Sequence, residues 1–240
     1  MSERTSRCPR KHWPDTFIKR RAAVRACADA MKTALPLSTI CNYPRTARGV
    51  KVAIVGALDG THIGGSLARA AAQLKLEAIV FDVADASSAN RYRRALYWRF
   101  AGRRPIHLGR FSAQVIATCA TARPEILIAT GAAPLTEHAL RALQALGIVC
   151  INYSTDDPWN STHLAHWYLR ALPAYNAVFT TRRANLDDIR RLGCVNVHYL
   201  PFAYDDVLFA PPDGAMDAPA HDVLFVGGAD RDRVAFIWRL

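Results

Sequence analysis

Three observations predict a doubly wound α/β fold for this chain. Short β-branched runs recur from residue 50 onward and are apolar on both faces, as a strand buried between two helical layers must be. Segments with helical spacing separate these runs, and glycine or proline closes several of them. Strict alternation of strand and helix requires parallel strands joined by right-handed crossovers. The expected architecture is a Rossmann-like parallel sheet flanked by helices.

The elements follow in order. Residues 50–56 (VKVAIVG) form the first strand, 57–65 a Gly-rich loop and 66–74 a helix. Residues 77–83 (EAIVFDV) are the second strand. Helices over 89–100 and 110–121 are separated by Gly102 and Pro105. The strand 125–131 (EILIATG) leads to a helix over 135–146, ended by Gly147. The strand 148–153 leads to a helix over 161–172, ended by Pro173. A strand over 177–181 (AVFTT), a helix over 185–192 before Gly193, and a strand over 195–200 complete the series. Residues 49–200 are thus one domain, and the Pro-, Ala- and Asp-rich stretch 201–220 is a linker. From His221 the chain reads HDVLFVGGADRDRVAFIWRL, the opening strand, turn and helix of a second α/β unit. A lone strand and helix cannot close a core, so 223–226 and 236–238 must dock on the first lobe, pair with a partner or fray. Poor solubility or homo-oligomers are expected.

Charge is unevenly spread over the chain. Residues 1–48 carry eleven Lys/Arg against three acids, a net of +8 out of the total of +11. They show no clear period and read as a poorly ordered basic extension, with a basic helix over 15–35 as the alternative. Positions 86–124 hold eight arginines and no carboxylate. A fold built to grip nucleic acid distributes its basic face over its motifs, so nucleic-acid binding is not expected. The arginine–aromatic stretch 91–100 (RYRRALYWRF) offers weak, salt-sensitive contact with an anionic bilayer. On a helical wheel, however, Arg99 and Arg103 share a face with Tyr92 and Leu96, which favours a solvated helix. No uncharged apolar run approaches the length of a membrane span. Pro36 interrupts the one stretch with signal-peptide character, which starts at Met31. The six cysteines lie far apart without a Cys-x-x-Cys pair, so neither metal nor redox chemistry is indicated, and Cys119 and Cys150 read as small buried hydrophobes. A cytoplasmic setting is expected, with peripheral attachment to the inner face of the membrane as a variant.

In such sheets ligands bind beyond the carboxyl ends of the strands. That rule selects the loops 57–65, 131–134, 154–160 and 180–185. In the first loop Gly64, Gly65 and Ser66 would expose backbone N–H groups at a helix N-terminus, suited to a phosphate or a sugar hydroxyl. A turn needing positive φ is the plain alternative. The spacing matches neither a dinucleotide fingerprint nor a Walker loop. His62, in the same loop, is a candidate general base or a surface histidine. In the third loop Asp156 and Asp157 precede Pro158, which holds Asp157 extended so that the two carboxylates diverge. One would face the crevice and the other cap the helix beginning near Ser161, while Trp159 offers a stacking face.

The segments GIVCINYSTDDPW (147–159), NAVFTTRRANLDDIRRLG (176–193), VHYLPFAYDDVLFAPP (197–212) and HDVLFVGG (221–228) together resemble the spore-maturation type of glycosyltransferase, within the two-lobed GT-B group. The similarity runs from about Val50 to Val234, and residues 1–48 have no part in it. The resemblance implies transfer of a sugar from a nucleotide-diphosphate donor to an acceptor held between two lobes, without a bound metal or other cofactor. The first lobe would shape the acceptor side and the second would bind the donor. Residues 200–204 then match the crossing between lobes, and 222–228 the first strand and turn of the donor lobe. Gly227, Gly228, Arg231 and Arg233 would lie near the donor phosphates, where arginine suits a diphosphate. Asp156, Asp157 and His62 are the candidates for base or acceptor contact. Relatives of this type continue well past the point matched by Leu240. The chain is therefore expected to be weakly active or inactive unless a complementing C-terminal lobe joins it. A non-catalytic ligand-binding or scaffold lobe is the alternative. A nucleotide-dependent oxidoreductase would use Asp82 on a ribose, but the first-loop glycines are wrongly spaced for it.

Overall fold

A computed structural model describes residues 49–89, 91–161, 164–209 and 231–239. The basic extension 1–48 and the linker and strand expected over 210–228 lie outside these residues. Among the described residues, six strands form one all-parallel sheet: β1 (Lys51–Gly56), β2 (Glu77–Asp82), β3 (Ile126–Thr130), β4 (Val149–Ser154), β5 (Ala177–Thr180) and β6 (Val197–Tyr199). Their order is β2-β1-β3-β4-β5-β6, with Val55 opposite Phe81 on one side and Ala129 on the other. The α/β class and the parallel, Rossmann-like sheet are as expected.

Alternation along each strand divides the core between the two faces. On one face Ala53, Val55, Leu127, Ala129, Cys150 and Val178 are buried. They lie beneath α3 (Leu108–Ala122), α4 (Glu137–Ala145), α5 (His166–Ala171) and α6 (Leu186–Arg191), which contribute Val115, Leu140, Leu143, Tyr168 and Ile189 to the same cluster. On the other face Val52 and Ile54 pack with Ala71 of α1 (Ile63–Gln73). Cys119, Cys150 and Cys194 are buried, and desolvation pushes their thiols up to about 11, 12 and 11 respectively. Cys119 and Cys150 are thus the buried small residues expected.

Several boundaries differ from the sequence reading, each for a tertiary reason. The first helix begins at Ile63 rather than Ser66, so the loop after β1 ends at His62 and Gly64 and Gly65 lie in the first helical turn. A Cβ on Gly64 would lie 2.5 Å from the Ala57 carbonyl oxygen, and one on Gly65 2.6 Å from that of Leu58. These glycines serve a close helix–strand approach that outweighs their poor helix propensity. A 3₁₀ turn, Val83–Ser87, follows β2, with the Asp82 carboxylate accepting from the Ala84 N–H at 2.9 Å. Asp82 is therefore a cap. The arginine–aromatic segment forms α2 (Arg91–Phe100). Helix α5 starts at His166 instead of Ser161, and Pro173 sits within a 3₁₀ turn, Leu172–Ala174, that continues it. Pro at the start of a turn is tolerated because its missing N–H would have been an orphan there.

The stretch after β6, expected to be linker, is pinned to α1 over its first residues. The Arg69 guanidinium donates to one Asp205 carboxylate oxygen from Nε at 3.0 Å and Nη2 at 2.6 Å. Tyr153 donates its hydroxyl to the Pro201 carbonyl at 3.1 Å. Hydrogen bonds from Arg69, then Ser66 and the Leu208 N–H, hold the Asp205 carboxyl well below its ordinary 3.8. Farther along, α7 (Arg231–Ile237) leaves Phe236 and Trp238 exposed.

Two outcomes follow from this packing. Gly64→Ala should lower stability by about 1–3 kcal/mol in chemical denaturation, because its methyl meets backbone that cannot yield. Arg69→Met should lower the melting temperature by an amount that depends on pH. A depressed native carboxyl stabilises fully above the unfolded value and progressively less as pH falls towards the native one. The gap between wild type and Arg69→Met should therefore be constant above about pH 5 and narrow as pH drops below the ordinary carboxylate range.

Candidate functional site

The strand order places a topological switch between β1 and β3, because the chain leaves β1 in one direction along the sheet and returns to build in the other. Loops diverge at that point and leave a crevice beyond the carboxyl ends. A cleft of about 200 Å³ occupies it, lined among others by Ala57, His62, Thr130, Gly131, Thr155 and Asp156. These residues come from the loops after β1, β3 and β4. His62 and Asp156 thus share one cleft although nearly a hundred positions separate them in the chain.

Each wall has an identifiable support. Gly56 ends β1 so closely against its neighbours that a Cβ there would lie 2.5 Å from Thr130 Oγ1 and 2.9 Å from Gly64 Cα. This contact brings the start of α1, and with it His62, over the end of β3. The imidazole is largely exposed, with Nε2 3.8 Å from an Asp59 carboxylate oxygen. Gly131, at φ +55, turns the chain after β3 and donates its N–H to the Tyr153 carbonyl at 2.8 Å. Asn152, fully buried in β4, donates from Nδ2 to the Gly131 carbonyl at 3.0 Å. Its Oδ1 accepts from the Tyr168 hydroxyl of α5 at 2.9 Å. Burial raises that phenol well above its ordinary value, so the hydroxyl keeps its proton and remains a donor. Thr181 donates to the Thr155 carbonyl at 2.9 Å, tying the loop after β5 to the Asp156 loop.

The two aspartates separate into different roles. Asp157 accepts from the Trp159 N–H at 3.0 Å, closing the turn that Pro158 begins. It caps this turn rather than the helix expected from Ser161, because α5 starts only at His166. Asp156 is exposed and lines the cleft, with Thr155 donating to its Oδ2 at 3.3 Å.

Other expected site residues lie elsewhere. Trp159 is half-buried and packs against the main core cluster. Ser66 accepts from Arg69 Nη2 at 3.2 Å and lines a separate cavity of about 400 Å³ between α1, the sheet and residues 200–209. Gly64 and Gly65 are buried against the loop backbone. They are spacers rather than an open cradle. Gly227 and Gly228 lie outside the described residues. Arg231 begins α7, and Arg233 is exposed on it. Thr130 and Asn152 escaped the sequence reading, and Gly131 entered it only as the start of the candidate loop 131–134. Asn152 carried a signal, as a polar residue whose strand neighbours on both sides are apolar.

No protein-family model matches the chain, and no curated protein does either. Among the described residues no group of three His, Cys, Asp or Glu side chains gathers in metal-binding proximity, and no helix is long and apolar enough to cross a membrane.

Asn152→Ala should lower stability by about 1–3 kcal/mol, since it removes one buried acceptor from the Tyr168 hydroxyl and the side-chain donor to the Gly131 carbonyl. Asp156→Asn should leave stability within about 0.5 kcal/mol of wild type, as expected of an exposed side chain. Urea unfolding of the two variants checks both.

Proposed function

We infer that this domain is the acceptor-side lobe of a glycosyltransferase of the GT-B group, similar to the spore-maturation type, acting on a nucleotide-diphosphate sugar and a hydroxyl-bearing acceptor. The convergence of His62 and Asp156 on one cleft at the β1/β3 switch point is the observation that carries this reading. The segments quoted above for the resemblance support it independently. The acceptor would enter the cleft with its hydroxyl directed at His62 or Asp156. One of these accepts the hydroxyl proton as the acceptor oxygen bonds to the anomeric carbon and the bond to the leaving diphosphate breaks. Gly227, Gly228, Arg231 and Arg233 are assigned to the donor phosphates by the resemblance alone. Asp157 is assigned to the turn, where its Oδ1 accepts from the Trp159 N–H, rather than to the chemistry.

A second reading, a non-catalytic binding or scaffold lobe, is favoured by the apolar residues exposed after β6. Phe202, Tyr204, Val207 and Phe209 are all exposed there, as suits a surface that meets another body.

Transfer from a panel of radiolabelled nucleotide-diphosphate sugars to hydroxylated acceptors distinguishes the readings. Loss of the proton acceptor should lower the rate by about 10²–10⁴-fold in either His62→Ala or Asp156→Asn. Asp157→Asn should keep its rate once corrected for folded fraction. Where no transfer is detected, titration with the same acceptors should still shift the His62 ring resonances. Unchanged transfer in both variants, or neither transfer nor a resonance shift, overturns the transferase reading in favour of the scaffold.

A further inference from the structure

We propose that α2 is a membrane-contact surface that seats the carboxyl edge of the sheet on an anionic lipid bilayer. The helix bears three large aromatic side chains in solvent: Tyr92 is 74% exposed, Tyr97 40% and Phe100 76%. Arg93 and Arg99 are exposed on the same helix, and Arg104 and Arg110 beyond it. At about 100° per residue, Tyr92, Arg93, Tyr97, Arg99 and Phe100 occupy an arc of about 160°. Aromatic and cationic side chains are therefore mixed on one exposed face rather than divided between two.

For a helix packing on protein that mixture is unfavourable, and from the sequence it argues for a simple solvated helix. At a lipid interface the same mixture fits. Tyrosine and phenylalanine settle at headgroup depth, while arginine lays its methylenes beside them and keeps its guanidinium among the phosphates. The charge is also one-sided, with eight arginines and neither a lysine nor a carboxylate over positions 86–124. Guanidinium offers phosphate two parallel donors, which an ammonium cannot. The complement of this surface is a dense, planar array of phosphates with an apolar layer beneath it.

The chain that follows the helix is tied to the rest of the fold. Just beyond α2, Arg103 donates from Nη1 to the Leu164 carbonyl at 2.8 Å and from Nη2 to the Ser161 carbonyl at 2.5 Å. Trp167 donates its indole N–H to the Arg103 carbonyl at 3.2 Å, and the His107 N–H bonds the Ala86 carbonyl at 2.9 Å. These partners belong to segments that follow the carboxyl ends of β2 and β4. The helix is thus attached to the same edge of the sheet as the candidate cleft. Single-stranded RNA also stacks on aromatics, but its binders track the backbone along a groove. Here the residues project from a convex helix, which favours the bilayer. The inference does not depend on the sugar-transfer reading.

Sedimentation of the full chain with phosphatidylcholine vesicles, with and without phosphatidylglycerol, tests it. Binding should need the anionic lipid and weaken as salt is raised. Each arginine near such a surface contributes about fivefold to the binding constant, so the double variant Arg93→Glu/Arg99→Glu should lose at least about 30-fold. Tyr92→Ser/Phe100→Ser should also bind more weakly, and its deficit should persist at high salt. Binding of both variants is compared with wild type at equal folded fraction, read by circular dichroism, so that a loss of binding is not a loss of fold. Equal binding to neutral vesicles, no binding to either, charge reversal without effect, or displacement from vesicles by single-stranded RNA would each overturn the proposal.

Discussion

The close approach of the first helix to the end of the first strand governs the geometry of everything around it. Gly56 and Gly64 face each other where any side chain would strike backbone, and Thr130 closes the third side. Because α1 starts this close to β1, His62 is delivered over the carboxyl end of β3. The sheet's change of direction between β1 and β3 then opens a crevice beneath that position. A methyl group at either glycine would move the helix start and the histidine together.

A second constraint operates from inside the core. A buried asparagine within an apolar strand is unfavourable unless every polar atom finds a partner. Asn152 finds one on each side, the Gly131 carbonyl and the Tyr168 hydroxyl. The bonds couple three elements, so the left-handed turn at Gly131 is held from below by a strand and a helix rather than by its own residues. The cleft is therefore shaped by an element of the core, while the side chains suited to chemistry stay on the exposed loops. The support beneath is thus rigid, while His62 and Asp156 above it are exposed on loops.

On the opposite face of the sheet the ion pair between Arg69 and Asp205 does comparable work for the chain leaving β6. It brings residues 200–209 back across the sheet to α1, where a linker would otherwise hang free. The apolar side chains of that stretch remain exposed, as do the aromatics of α2. Apolar side chains are thus exposed at several places among the described residues, after β6, along α2 and on α7. Their charge differs: the stretch after β6 carries Asp205 and Asp206, whereas α2 carries the exposed Arg93 and Arg99.

The class of fold and the order of its elements can be read from the chain alone, because a strand covered on both faces must be apolar throughout and a helix must repeat near 3.6 residues. Those rules act on neighbours in the chain, so 50–56, 77–83, 125–131, 148–153 and 177–181 were legible without coordinates. The sequence also singled out the loops after β1 and β4. Only the tertiary structure decided which of their residues meet. It set Asp156 in the cleft and Asp157 on the Trp159 N–H, moved Ser66 to another cavity, packed Trp159 against the core and made spacers of Gly64 and Gly65. The physical reason is that these assignments depend on contacts between segments distant in sequence, whose distances no local period encodes. Adjacent aspartates look equivalent along the chain, and only the partner that each finds in space makes one a cap and leaves the other facing the crevice.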